Sequence, residues 1–222
     1  MNSIAGILIS IVFVFLIIGI SSLLSKSNII SKEGSRKFIH VGVSNWWIIA
    51  MIFFDNNICA AIVPGLFVLI NYASYKKQIF SAMERDGSKK DLGTVYYAIS
   101  LLILALITFK NKELSYIGAL GILIMGYGDG FAAIIGTKYG KHKFRVLGNI
   151  KSIEGSLAMF VFSFVVSVII LYIFDPVNVL YIGLLVALLS TILEMFSPMG
   201  LDNLTVPLGS ALFYYVFIFL RG

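Results

Sequence analysis

Leu114-Ser115-Tyr116-Ile117-Gly118-Ala119-Leu120-Gly121-Ile122-Leu123-Ile124-Met125-Gly126-Tyr127-Gly128-Asp129-Gly130-Phe131-Ala132-Ala133-Ile134-Ile135-Gly136-Thr137 carries one charge, Asp129. About 20 predominantly apolar residues cross a bilayer as a helix. In lipid the backbone must satisfy its own polar groups, so a continuous apolar run of this length reads as a transmembrane helix. Working outward, seven further runs fit: 4–24, 38–54, 58–75, 92–109, 154–174, 177–196 and 204–220. The expected fold is an all-α polytopic integral membrane protein. It has about eight transmembrane helices in a single domain, 1–222, without an internal repeat. Composition agrees: 59% of residues are apolar, 13% are charged, and mean hydropathy is +0.97. Soluble domains hold roughly 45–50% apolar and about 25% charged residues. A chain of 222 residues cannot hide that much apolar surface in a globule. This excludes a soluble enzyme, a disulfide scaffold and a disordered chain. The single Cys59, inside an apolar run, reads as packing. The first run has no positive flank before it and no small-residue cleavage site, so a retained span is expected rather than a signal peptide.

The net charge of +6 reads as loop charge rather than a nucleic-acid footprint. Of 17 Lys and Arg, 14 fall in the first, third and fifth connections. The positive-inside rule then places both termini outside and those connections in the cytoplasm. In the third connection Ile79, Phe80 and Met83 share a helical face among Lys76, Lys77, Arg85 and Lys89. Either a short basic helix on the membrane surface or a solvated loop fits that pattern.

Ionisable residues inside a membrane are costly and point to function. Arg36 and Lys37 open the second run, and His40 lies one turn further on, so the three can share a face. Asp91 opens the fourth run, followed by Gly93 and Thr94. Asp129 lies near the far end of the fifth run. Lys151 and Glu154 begin the sixth, Glu194 nearly ends the seventh, and Asp202 and Asn203 follow it. In the expected topology all of them fall at the cytoplasmic end. That distribution suits a site for a soluble, negatively charged reactant at the inner membrane surface.

The densest stretch is Gly126-Tyr127-Gly128-Asp129-Gly130, then Gly136, Lys138, Gly140 and Lys141. Glycines let a ligand approach the backbone. A carboxylate among them suits Mg²⁺, which takes one or two carboxylates and fills its shell with phosphate and water. The lysines add charge for phosphate. Gly136 and Gly140, four residues apart, equally suit close helix packing. Lys151-Ser152-Ile153-Glu154-Gly155 repeats the theme of cation, hydroxyl, carboxylate and glycine. Trp46 and Trp47 read as packing or lipid contact, Asp55 and Asp175 as solvated, and His142 as loop.

These residues carry a resemblance. The chain resembles the CTP-dependent lipid-alcohol kinases: dolichol kinase, phytol kinase and the CTP-using diacylglycerol kinase. Arg36-Lys37-Phe38-Ile39-His40 is similar to that family's R-K-x-x-H opening, and Gly93-Thr94-Val95-Tyr96-Tyr97 to its G-T-x-Y-Y block. Gly128-Asp129-Gly130 with Gly136 and Lys141, then Lys151-Ser152-Ile153-Glu154-Gly155, resembles its central signature. Asp202-Asn203 through Pro207 resembles its closing block. The match covers 35–207 and leaves 1–34 as an anchor span and first loop. It implies transfer of the γ-phosphoryl of CTP to the hydroxyl of a lipid alcohol, with a divalent cation. Arg36, Lys37, Asp129 and Lys151 are then the catalytic residues. His40, Gly93, Thr94, Gly128, Gly130, Gly136, Lys141, Ser152 and Gly155 bind nucleotide, and Asp129 with Glu154 holds the metal. Asp91, Glu194 and Asp202 are candidates for the base, and Asn203 stands beside them. The expected partners are a membrane lipid and a nucleotide, with no nucleic acid and no protein partner implied.

Phosphatidate cytidylyltransferases share the acidic, glycine-rich stretch. Their lysine-rich C-terminal block is absent, because no Lys or Arg lies between Lys151 and Arg221. A transporter would place its charges near the midplane between repeats. The lipid alcohol itself is not legible, since any tail pocket here is built of Leu, Ile, Phe and Met on unassigned faces.

Overall fold

A computed structural model describes residues 3–77, 92–198 and 200–221. Asp91 and the basic segment around Ile79, Phe80 and Met83 lie outside the described residues. The chain is helical: α1 (Ser3–Lys26), α2 (Lys32–Ser44), α3 (Trp46–Phe53), α4 (Asn57–Lys77), α5 (Gly93–Thr108), α6 (Ser115–Leu123), α7 (Gly130–Tyr139), α8 (Ile153–Phe174), α9 (Val179–Phe196) and α10 (Asp202–Arg221). Among the described residues, six helices are long and apolar enough to cross a membrane, and α5 is a shorter apolar one.

Two features depart from the expected set of continuous helical spans. The run 38–54 is a pair of helices that starts earlier, at Lys32. Ser31 caps α2 by accepting the Gly34 amide at 3.0 Å, which satisfies one of the first-turn donors. Arg36 and Lys37 therefore sit inside a formed helix rather than at its entrance. The pair breaks at Asn45, whose side-chain amide donates back to the Val41 carbonyl at 2.9 Å and accepts from the Tyr127 hydroxyl at 3.0 Å. The second departure is an antiparallel hairpin, β1 (Lys143–Val146) and β2 (Asn149–Ser152). Its two-residue turn, Leu147-Gly148, has φ of 47° and 82°, the left-handed pair that matches the twist of two strands. Lys151 thus lies on a strand, and α8 begins at Ile153 behind the Ser152 cap.

The hub is the stretch quoted above. α6, a π-helical segment over Ile124–Asp129 and α7 run on as one rod. Inside the bundle 72% of its most apolar window is buried, against 22–39% for the other five long helices. Trp47 packs on it, donating its indole N–H to the Ser115 carbonyl at 2.9 Å, over a face that only Gly118 leaves open. Both tryptophans are packing residues, buried inside the bundle. α1 joins the core by packing on α2, α3 and α4, and its Ser21 hydroxyl donates to the Ser35 carbonyl at 2.9 Å. At the end remote from Asp129, Asp175 is clasped rather than simply solvated. Tyr214 donates to it at 2.6 Å and Arg221 at 3.0 Å. Partial burial would raise its carboxyl; these two partners outweigh that and hold it below the ordinary carboxylate range.

Candidate active site

Asp129 ends the π-helical segment and is buried, 4% exposed. Lys37, 5% exposed, donates its ammonium to Asp129 Oδ2. His40 Nε2 lies 3.6 Å from the same oxygen. α2 brings these two to one place because they are three residues apart on one face. Arg36, on the same turn, holds Glu33 through two bonds of 3.1 and 2.5 Å. Across the site, Lys151 donates to the Glu194 carboxylate and to the Glu194 carbonyl, the latter at 3.1 Å. Asp202 accepts from the Asn203 amide at 2.9 Å.

Asp129, Glu194 and Asp202 each offer one oxygen within 4.8 Å of the others. This differs from the expected pair of Asp129 and Glu154. Glu154 sits in the first turn of α8 and turns to the hairpin, 2.7 Å from His142 Nδ1. It does not line the cavity that holds Asp129. Three carboxylate donors suit a hard cation. Ligand distances of about 2.0–2.6 Å put oxygens on one ion up to about 4–5 Å apart. Among the described residues, Lys37 pairs with Asp129 and Lys151 with Glu194, while Asp202 has no ion pair.

The cavity around these groups has about 600 Å³ of space. Arg36, Lys37, Lys151 and Lys143 supply its cations. Gly136, Ser152 and Gly155 form a wall where α7 meets α8. There a Cβ on Gly155 would sit 3.0 Å from the Ala132 carbonyl, so close packing shapes that wall. The other expected residues divide. Lys141 is exposed and lies off the cavity. Gly128 and Gly130 pack on Met159 and Val41, away from it. Gly93 and Thr94 line a second, apolar slot together with His40. Arg36 and Asn203 line both spaces. Glu33, Asn149 and Asn71 escaped the sequence reading, whereas Lys143 is one of the loop lysines that suit phosphate. Asn71 had a signal, a polar side chain within an apolar run.

Known proteins give this geometry its context. The phytol kinase of Synechocystis sp. is 38% identical over 199 residues, spanning 86% of this chain and 82% of that protein. Phytol kinase 1, chloroplastic, of Arabidopsis thaliana is 29% identical over 214 residues, 87% of this chain and 69% of its own. The chloroplastic farnesol kinase of the same plant is 26% identical over 211 residues, 85% and 67%. No protein-family model matches the chain. No solved structure matches it either. Helices fit for a bilayer, a cation-lined polar cavity and these relatives define the class: a membrane kinase, a phosphotransferase with an alcohol acceptor. The chain belongs to the phytol kinase family, and the resemblance carried by its four sequence blocks is borne out.

Proposed function

We propose that the protein transfers the γ-phosphoryl group of CTP to the hydroxyl of an isoprenoid alcohol of the phytol or farnesol type. The observation that carries this reading is the junction of two unlike spaces. A polar cavity rich in cations and carboxylates meets an apolar slot at Arg36 and Asn203. A nucleotide suits the first and a lipid tail the second, with the reacting oxygens between them. CTP as donor rests on the resemblance of the four blocks.

Phosphoryl transfer needs mainly positioning and charge neutralisation. Arg36, Lys37 and Lys151 bind phosphate oxygens. Asp129, Glu194 and Asp202 hold a divalent cation, Mg²⁺ by their all-oxygen chemistry, which when bound neutralises phosphate charge. The acceptor oxygen forms its bond to the γ-phosphorus, and the bond from that phosphorus to the bridging oxygen breaks, releasing CDP. Glu194 is engaged by Lys151 and Asp202 by Asn203. His40 Nε2 is buried and has no hydrogen bond among the described residues. At the junction it takes the hydroxyl proton when it carries none of its own.

The test is membranes bearing the protein, supplied with γ-labelled CTP or ATP, Mg²⁺ and a panel of lipid alcohols. Label is expected in the phosphorylated lipid with CTP, and in none with Asp129→Asn. Absence of labelled lipid above that control overturns the reading. Release of the label as pyrophosphate would make the protein a cytidylyltransferase instead.

The eight-crossing topology belongs to the same proposal. It counts the six long helices, α5, and α2 with α3 over 32–53 as one crossing. The positive-inside bias favours the polar cavity facing the cytoplasm. A cysteine at exposed Leu147, in a Cys59→Ser background, is expected to react with a membrane-impermeant maleimide only when the inner face is open. Labelling of intact cells sinks this orientation.

A further inference from the structure

The apolar slot has a direction. α2 and α3 descend along it from Arg36 to Trp46, α5 descends from Gly93 to Leu101, and α4 climbs from Val63 to Asn71. At ~1.5 Å per residue these stretches give a depth of about 12–15 Å. Some 60 Å³ of it is open to the centre of a water molecule. Averaged over that depth, with a water radius of 1.4 Å, the space is about 5 Å wide. Carbon atoms pack about 4 Å apart, so one hydrocarbon chain fits and two side by side do not. The mouth is polar: His40 Nε2 and Asn71 Oδ1 are buried there without a hydrogen bond among the described residues. Below Trp46 the bundle closes. Its ring meets Trp47 edge-on at 6.0 Å, and Trp47 packs on Phe109 at 5.6 Å, all three essentially inaccessible.

We infer that the acceptor's tail lies in this slot with its hydroxyl between His40 and Asn71, and that Trp46 is the floor that limits tail length. The inference rests on the kinase reading and adds a measuring residue to it. Below a hydroxyl held there, the stretches from His40 to Trp46 and from Asn71 to Val63 leave about 9–12 Å. An extended chain advances ~1.2 Å per bond, so the slot takes about 8–10 bonds, between two and three isoprene units. A longer tail must bend out sideways between the helices above Trp46, and a two-tailed lipid must do so with a whole tail. Trp46 suits this role because packing alone holds it. Its indole nitrogen has no hydrogen bond among the described residues, whereas that of Trp47 is bonded to Ser115. Shortening Trp46 therefore orphans no partner.

The experiment compares kcat/KM for geraniol, farnesol, geranylgeraniol, phytol and a long polyprenol across wild type, Trp46→Leu and Ala98→Leu. Ala98 lines the slot about 8 Å below Gly93, so leucine there raises the floor. The ratio of geranylgeraniol to geraniol is expected to rise several-fold in Trp46→Leu and to fall about tenfold or more in Ala98→Leu, with the nucleotide KM unchanged. Opposed shifts cannot come from general damage. A common factor across all acceptors in both variants overturns the inference. If Trp46→Leu does not fold, Ala98→Leu decides alone, and an unchanged ratio there overturns it. A wild type inactive on every alcohol defeats the kinase reading instead.

Discussion

Replacing Lys37 with alanine is expected to destabilise the bundle by about 3–5 kcal/mol and to abolish phosphoryl transfer, because it strands a buried carboxylate. Lys37 and Asp129 are 5% and 4% exposed, so each charge depends mainly on the other. Without Lys37, Asp129 faces Glu194 and Asp202 within 4.8 Å, while Lys151 remains committed to Glu194. Adding Asp129→Ala removes the stranded charge. The double variant should therefore melt well above Lys37→Ala in mild detergent while remaining inactive. Asp129→Asn keeps the shape and loses the charge, and activity should fall on the order of a thousandfold or more as the charged site is lost. Salt should barely change these differences, since buried pairs are poorly screened. A Lys37→Ala protein that melts like wild type would show that the pair is solvated. A double variant no more stable than Lys37→Ala would show that the loss was packing rather than charge.

What the sequence disclosed follows from what is local. An apolar run's length is a local property, so the helices could be read directly. Asn45 broke one run because its amide bonds back to Val41, a choice that depends on Tyr127 from a distant helix. The hairpin was missed because Lys143-Phe144-Arg145-Val146 alternates for only four residues inside a charged loop. Gly148 was its one clear signal. Within the site, Arg36, Lys37, Asp129 and Lys151 all line one cavity, as their clustering at one end suggested. The carboxylates beside Asp129 were harder. Glu154 and Glu194 both sit near helix ends, and tertiary packing alone turns Glu154 to His142 and Glu194 to Lys151. The glycines were ambiguous for the same reason: a glycine that admits a ligand and one that admits a helix look alike in sequence.

Gly126→Ala resolves that ambiguity, and its expected effect is a large loss of both stability and activity. A Cβ at Gly126 would overlap the Cβ and hydroxyl of Ser44, and one at Gly130 would come to 2.5 Å from Val41 Cγ2. Both neighbours belong to α2, one turn apart, so these two glycines set how closely the rod bearing Asp129 approaches the helix bearing Lys37. Ser44 is fully buried, and its Cβ is fixed to the backbone, so it cannot swing away as a long side chain would. Overpacking of this kind costs about 1–3 kcal/mol. It also pushes Lys37 from Asp129, which adds part of the stranded-charge cost. Gly19→Ala is the control: a Cβ there meets nothing within 4 Å, and alanine should be neutral or stabilising by up to about 1 kcal/mol in a helix. Ser44→Gly removes the obstructing atoms at a helix cost of about 0.5–1 kcal/mol. Combined with Gly126→Ala, it should recover much of the melting temperature and some of the activity. If Gly126 instead cradled the nucleotide, Gly126→Ala would raise the nucleotide KM at an unchanged melting temperature, and Ser44→Gly would rescue nothing. That pattern would return the glycines to the ligand and remove the helix-packing account of how Lys37 and Asp129 meet.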